Sequence, residues 1–111
     1  MERDVQSFLD MLQSAEIVME YISGRSREDL GTDLQLQDAI IRRLSIIGEA
    51  AKRVSEPTRN SLTTLPWSAM NGMRNRLVHE DDGIDFDVVW DTAINSLPTL
   101  ILELKKVIPT P

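Results

Sequence analysis

The sequence predicts an all-α chain, a four-helix up-down bundle with a short extra helix between the second and third main helices. Three observations predict it. Apolar residues recur at spacings of three and four over long stretches. No segment alternates apolar and polar residues as a half-buried strand would. Proline, glycine and aspartate fall between the stretches, where helices start and stop. A length of 111 residues fits one domain, 1–111, and 41% hydrophobic residues supply an ordinary core.

The first helix is expected over residues 3–23, with Val5, Phe8, Leu12, Ala15, Met19 and Ile22 on one stripe. Ser23 and Gly24 close it, and Gly31 marks a connecting loop. Asp33 is placed to cap a second helix of about 20 residues, because its carboxylate can accept from unpaired N–H groups. Ile40, Leu44, Ile47, Ala51 and Val54 form the stripe of that helix, widened by Leu36, Ile41 and Ile46. Gly48, Ala50 and Ala51 are small enough to admit another backbone. Pro57 opens the short extra helix. Pro66 opens the third main helix, which runs to Val78 or His79 with Trp67, Met70, Leu77 and Val78 as core candidates. Asp85 caps the last helix, whose inward residues are Val89, Ala93, Leu97, Leu100, Leu104 and Val107. Pro98 should kink it, since proline removes a hydrogen bond and clashes with the preceding turn.

Composition excludes several classes of function. The chain has no cysteine, so disulfide scaffolds, thiol nucleophiles and cysteine metal sites are out. Its single histidine, His79, rules out a two-histidine site within one chain. No apolar run approaches the ~18 residues of a membrane span, and the opening residues lack a signal-peptide pattern. A cytoplasmic protein without a membrane partner is therefore expected. The net charge of −6 argues against a nucleic-acid binder that uses its whole surface. The charge is unevenly spread, however. Residues 34–79 are net positive through Arg42, Arg43, Lys52, Arg53, Arg59, Arg74 and Arg76, while both flanking segments are acidic. A local positive surface or solvated helix faces would each account for that.

Glu80, Asp81, Asp82, Asp85 and Asp87 form an acidic cluster. An EF-hand centred on Gly83 would need ligands at Val78 and Val89, so that reading fails, and no metal site is assigned. Asp85 and Asp87 suit the N-terminus of the last helix instead. No glycine-rich phosphate loop is present, and no serine stands out as a triad nucleophile. The remaining constellation is Arg74-Asn75-Arg76-Leu77-Val78-His79. On this helix Asn75 and His79 are four apart and share a face, with Arg76 about 60° and Arg74 about 140° around from His79. Two arginines, an amide and an imidazole suit a phosphodiester. Arginine grips phosphate oxygens, and histidine moves a proton near neutral pH. A structural role fits the same spacing: His79 ending the helix, and Arg74 paired with an acid.

Beyond this spacing, Ile47-Gly48-Glu49-Ala50-Ala51-Lys52-Arg53, Pro66-Trp67, Gly72 to His79, Gly83-Ile84-Asp85 and Val89-Trp90 together resemble HepT-like proteins of the HEPN superfamily. The resemblance runs over roughly residues 3–108 and is specific between Ile47 and Trp90. It implies a HEPN bundle that forms a two-fold homodimer. It further implies the toxin of a type II toxin–antitoxin pair, a ribonuclease independent of metal and cofactor. By the same resemblance, the family's arginine-to-histidine motif falls on Arg74 and His79 as catalytic residues. Asn75 and Arg76 stand as supporting substrate-binding residues. The active cleft would lie at the dimer interface, the substrate would be RNA, and the partner a nucleotidyltransferase-type antitoxin. Family members often carry tyrosine and phenylalanine two and three residues after the histidine, and the tyrosine can be adenylylated. Here those positions are Asp81 and Asp82. Asp81, the regulatory position, has no phenol to modify. The alternative is a non-catalytic HEPN module that binds a nucleotidyltransferase or RNA without cutting it.

Overall fold

The computed structural model describes residues 2–79 and 83–109, and the side chains of all of these except residues 2, 3, 74, 76, 78 and 79. Two long helices come first, α1 (Glu2–Ile22) and α3 (Leu34–Arg53), joined by the short α2 (Arg27–Thr32). Then follow α4 (Glu56–Ser61), α5 (Trp67–Asn71) and α6 (Met73–Leu77). A two-strand hairpin, β1 (Val78–His79) and β2 (Gly83–Ile84), leads into α7 (Phe86–Asp91). A π turn (Thr92–Ser96) continues α7 into α8 (Leu97–Val107).

Capping chemistry sets the helix starts. The Asp33 carboxylate accepts from the Leu36 N–H at 3.1 Å and opens α3, as the sequence predicts. Asp85 does the same for α7 through the Val88 N–H, also at 3.1 Å. Ser26 and Asp29 form a reciprocal capping box at α2. That helix replaces the loop expected around Gly31. Six residues are too few to show a periodic stripe, so only the cap could have announced it.

α1 and α3 lie antiparallel: Asp10 meets Arg53 at 3.0 Å, and Asp4 meets Ser55. α8 packs against α1 as well. Phe8, Met11, Ile40, Leu44, Ile47, Leu97 and Leu104 are almost fully excluded from water. Each such side chain contributes about 1.5–3 kcal/mol by burial. Leu36, Ile40, Leu44, Ile47, Ala51 and Val54 are all buried, and Ile41 is half-buried, as the stripe of α3 requires. The stripe on α1 is rotated from its predicted position. Phe8, Ala15 and Ile22 are buried, but Val5, Leu12 and Met19 are only half-buried. Met11, Val18, Ser7 and Ser14 take the interior instead. α1 serves two neighbours, so its buried face is broad and includes small polar residues that an apolar count passes over.

Two further expectations are corrected. The third main helix is two five-residue helices separated at Gly72, and it stops at Leu77. The hairpin after it is β structure that the sequence did not predict; each strand has two residues, too short for alternation to show. Pro98 is accommodated by the π turn, in which the Leu97 N–H donates to the Thr92 carbonyl five residues back. The wider turn leaves room where a regular one would press the proline ring on the Ile94 carbonyl.

Candidate active site

α6 is seated by two apolar anchors one turn apart. Met73 and Leu77 are buried, and the helix packs on α3. α5 is held just before it. A Cβ added to Gly48 would lie 3.0 Å from the Met70 carbonyl oxygen, so the small residue in α3 permits this backbone approach. Trp67 at the start of α5 donates its indole N–H to the Leu62 carbonyl at 2.9 Å and meets the Phe8 ring at a centroid distance of 6.3 Å. The surface of α3 therefore fixes the platform from which the Arg74–His79 segment departs.

Arg74, Asn75 and Arg76 all lie in α6, and the Asn75 side chain is exposed. His79 does not continue that helix. Its backbone pairs with Gly83 in the hairpin, with Val78 opposite Ile84. The shared helical face predicted for Asn75 and His79 is thus absent. The constellation instead spans a junction, with the arginines on the last helical turn and the histidine on the strand that follows. Helix signals end cleanly at Leu77 because its carbonyl accepts from the Asp85 N–H at 2.9 Å, a bond closed from across the hairpin. Gly83 has φ +76°, in the left-handed region, and directly faces His79 in the ladder. The side chains of Arg74, Arg76 and His79 lie outside the described residues, as do Glu80, Asp81 and Asp82.

Of the rest of the basic set, Arg42, Lys52 and Arg53 are exposed on α3, and Arg43 and Arg59 are half-buried. Arg53 is engaged by Asp10, which offsets part of the local positive charge. Asp87, expected to serve the helix dipole, also accepts from Arg27 Nε at 2.8 Å. Asn71, the last residue of α5, keeps a buried side-chain oxygen with no hydrogen-bond partner among the described residues. An apolar cleft runs beside the platform, walled by Pro66, Met70 and Met73 on one side and Leu97, Leu100 and Glu103 on the other. No group of residues that could hold a metal occurs among the described residues. No described helix is long and apolar enough to cross a membrane.

The family described as Ribonuclease HepT-like matches residues 11–107. A protein of Methanocaldococcus jannaschii with a provisional RNase name is 32% identical over 108 residues, covering 96% of this chain and 89% of the relative. Another, from Caldanaerobacter subterraneus and also provisionally named an RNase, is 35% identical over 98 residues, 88% of each chain. A Thermococcus cleftensis protein whose provisional name is ribonuclease HepT is 34% identical over 101 residues, covering 90% of this chain and 92% of its own. No solved structure matches significantly. The match spans residues from within α1 to the end of α8, and the chain belongs to the HepT-like ribonuclease family.

Proposed function

We propose that the chain is a metal-independent endoribonuclease, the toxin of a type II toxin–antitoxin pair, with Arg74 and His79 as its catalytic residues. The observation that carries this reading is the junction itself. In a chain of a ribonuclease family, the only histidine follows within two residues of a helix bearing two arginines and an exposed asparagine. The chemistry needs no bound ion. A ribose 2′-oxygen attacks the adjacent phosphorus, the bond to the 5′-oxygen breaks, and a 2′,3′-cyclic phosphate and a 5′-hydroxyl result. His79 takes the 2′-hydroxyl proton as general base, and His79 of a second copy gives a proton to the leaving 5′-oxygen. Arg74 steadies the charge that develops on the phosphorane, with Asn75 and Arg76 holding the strand.

A two-fold dimer supplies the second histidine. Leu34, 68% exposed, and half-buried Ile41 lie seven residues apart on α3, which supports an apolar contact between copies. The substrate is RNA, splayed at a single-stranded site so that the backbone enters the cleft. A nucleotidyltransferase-type antitoxin is the partner, and it restrains the enzyme by some means other than modifying a tyrosine at position 81.

The test is cleavage of RNA in EDTA by the wild type and by His79→Ala. The variant should lose about 10²–10⁴-fold in rate while staying folded, and a 2′-deoxy substitution at the cut should block the wild type. Equal cleavage by both proteins would sink the assignment of His79. Asp81 and Asp82 favour a second reading, a non-catalytic module, because two carboxylates beside the segment repel phosphates. Its signature is no cleavage by the wild type, with cleavage appearing on Asp81→Tyr combined with Asp82→Phe.

A further inference from the structure

We propose that Arg27, 52 positions before His79 in the sequence, is a positioning residue for the hairpin that carries it. The inference rests on the ribonuclease reading for its effect on rate, but its geometry is independent of that reading. Arg27 is in α2, and it reaches across to the first turn of α7. Its Nε donates to Asp87 Oδ1 at 2.8 Å, and its guanidinium carbon stands 5.7 Å from the centre of the Phe86 ring. Asp87 is largely exposed, so the ion pair alone is a weak tie. The Phe86 ring adds a cation–π contact that does not depend on the exposed carboxylate.

From Phe86 the link to His79 is short and made of backbone. Asp85, immediately before Phe86, donates its N–H to the Leu77 carbonyl. Ile84 and Gly83 then pair with Val78 and His79. The place of His79 relative to α6 therefore depends on where α7 begins, and Arg27 is the described side chain that reaches the first turn of α7 from α2 with both an ion pair and a ring contact.

α2 is itself a firm base. It has its capping box, a fully buried Leu30, and a bond from Gln37 Nε2 to the Leu30 carbonyl at 2.9 Å.

The lone histidine makes the test direct, since its imidazole resonances need no assignment. Full-length wild type, Arg27→Ala and Arg27→Lys are compared by NMR of the imidazole and by RNA cleavage. Arg27→Ala should shift and broaden the His79 resonances. It should lower kcat about tenfold with KM within about twofold, because the reacting group is displaced rather than the strand released. Arg27→Lys keeps the charge without the guanidinium and should fall between. If Arg27→Ala fails to fold, Phe86→Leu removes the ring and is read on the same resonances. Unmoved resonances in a folded variant overturn the proposal, and so does a change confined to KM. Cleavage by His79→Ala at the wild-type rate overturns the assignment of His79 as a catalytic residue instead, while the resonances of the proteins that keep His79 still report on Arg27.

Discussion

Asp4 accepts from the Ser55 N–H at 3.0 Å, Ser55 Oγ at 2.8 Å and Thr58 Oγ1 at 2.5 Å. Ser55 is the N-cap of α4 and makes no cap bond with its own side chain, while the carboxylate from α1 accepts from its N–H, another of the unpaired donors at the helix start. The Thr58 hydroxyl, then the Ser55 N–H and hydroxyl, hold the Asp4 pKa down to about 2 from 3.8. Because the folded value lies below the unfolded one, the stabilisation is full above about pH 4 and is lost as pH falls toward 2. Asp4→Asn should cost about 1–2 kcal/mol at pH 7, a gap that closes across that window. Urea unfolding of both proteins at several pH values checks this. Gly48 makes a second prediction. Alanine usually stabilises a helix interior relative to glycine by about 1 kcal/mol. Here its Cβ would press on the Met70 carbonyl, so Gly48→Ala should lower stability in the same assay. The sequence suggested the small size of Gly48 for a reason that the structure bears out. Asp4 carried no such sign, because its partners are 51 and 54 residues away.

At the scale of elements, α3 was legible from end to end. It is long, singly capped and strongly periodic, so local signals and packing agree. The same held for the start of α7 at Asp85 and the short α4 behind Pro57. The stretch from Pro66 to Ile84 was not. Its helices are one turn long and its strands have two residues, so packing on α3 and the Asp85–Leu77 bond decide its form. Gly83, in β2, has a left-handed backbone. A β-branched side chain at φ +76° is strained, so Gly83→Val should destabilise by about 1–2 kcal/mol. It should also reduce cleavage more than Gly48→Ala does, since it acts on the strand paired with His79. Parallel unfolding and cleavage assays separate the two variants.

Across the whole molecule the described residues form a flat body of 41 × 31 × 19 Å. Its uncovered apolar side chains include Leu9 on α1, Leu34 on α3 and Leu102 on α8. Light scattering at micromolar concentration should give twice the chain mass, and Leu34→Glu should shift the protein toward the single-chain mass if α3 forms the contact. Charge composition had already separated a basic middle from acidic flanks, but it could not tell that Asp10 occupies Arg53. The histidine and arginines were singled out by residue type and spacing, and their catalytic roles came only with the family resemblance. Their relation in space was misjudged because the helix was carried one or two residues too far.

The packing of α1 against both α3 and α8 has a consequence for how the chain folds. α1 and α3 are separated by only one short helix, so their pairing is local and closes a small loop. α8 comes long after both in the sequence, and it must return across most of that distance to cover the remaining flank of α1. Until then that flank is bare, and the nascent chain is an α1–α3 hairpin with half a core. Amides of α1 and α3 should therefore be the slowest to exchange with solvent, and those of α8 should open first.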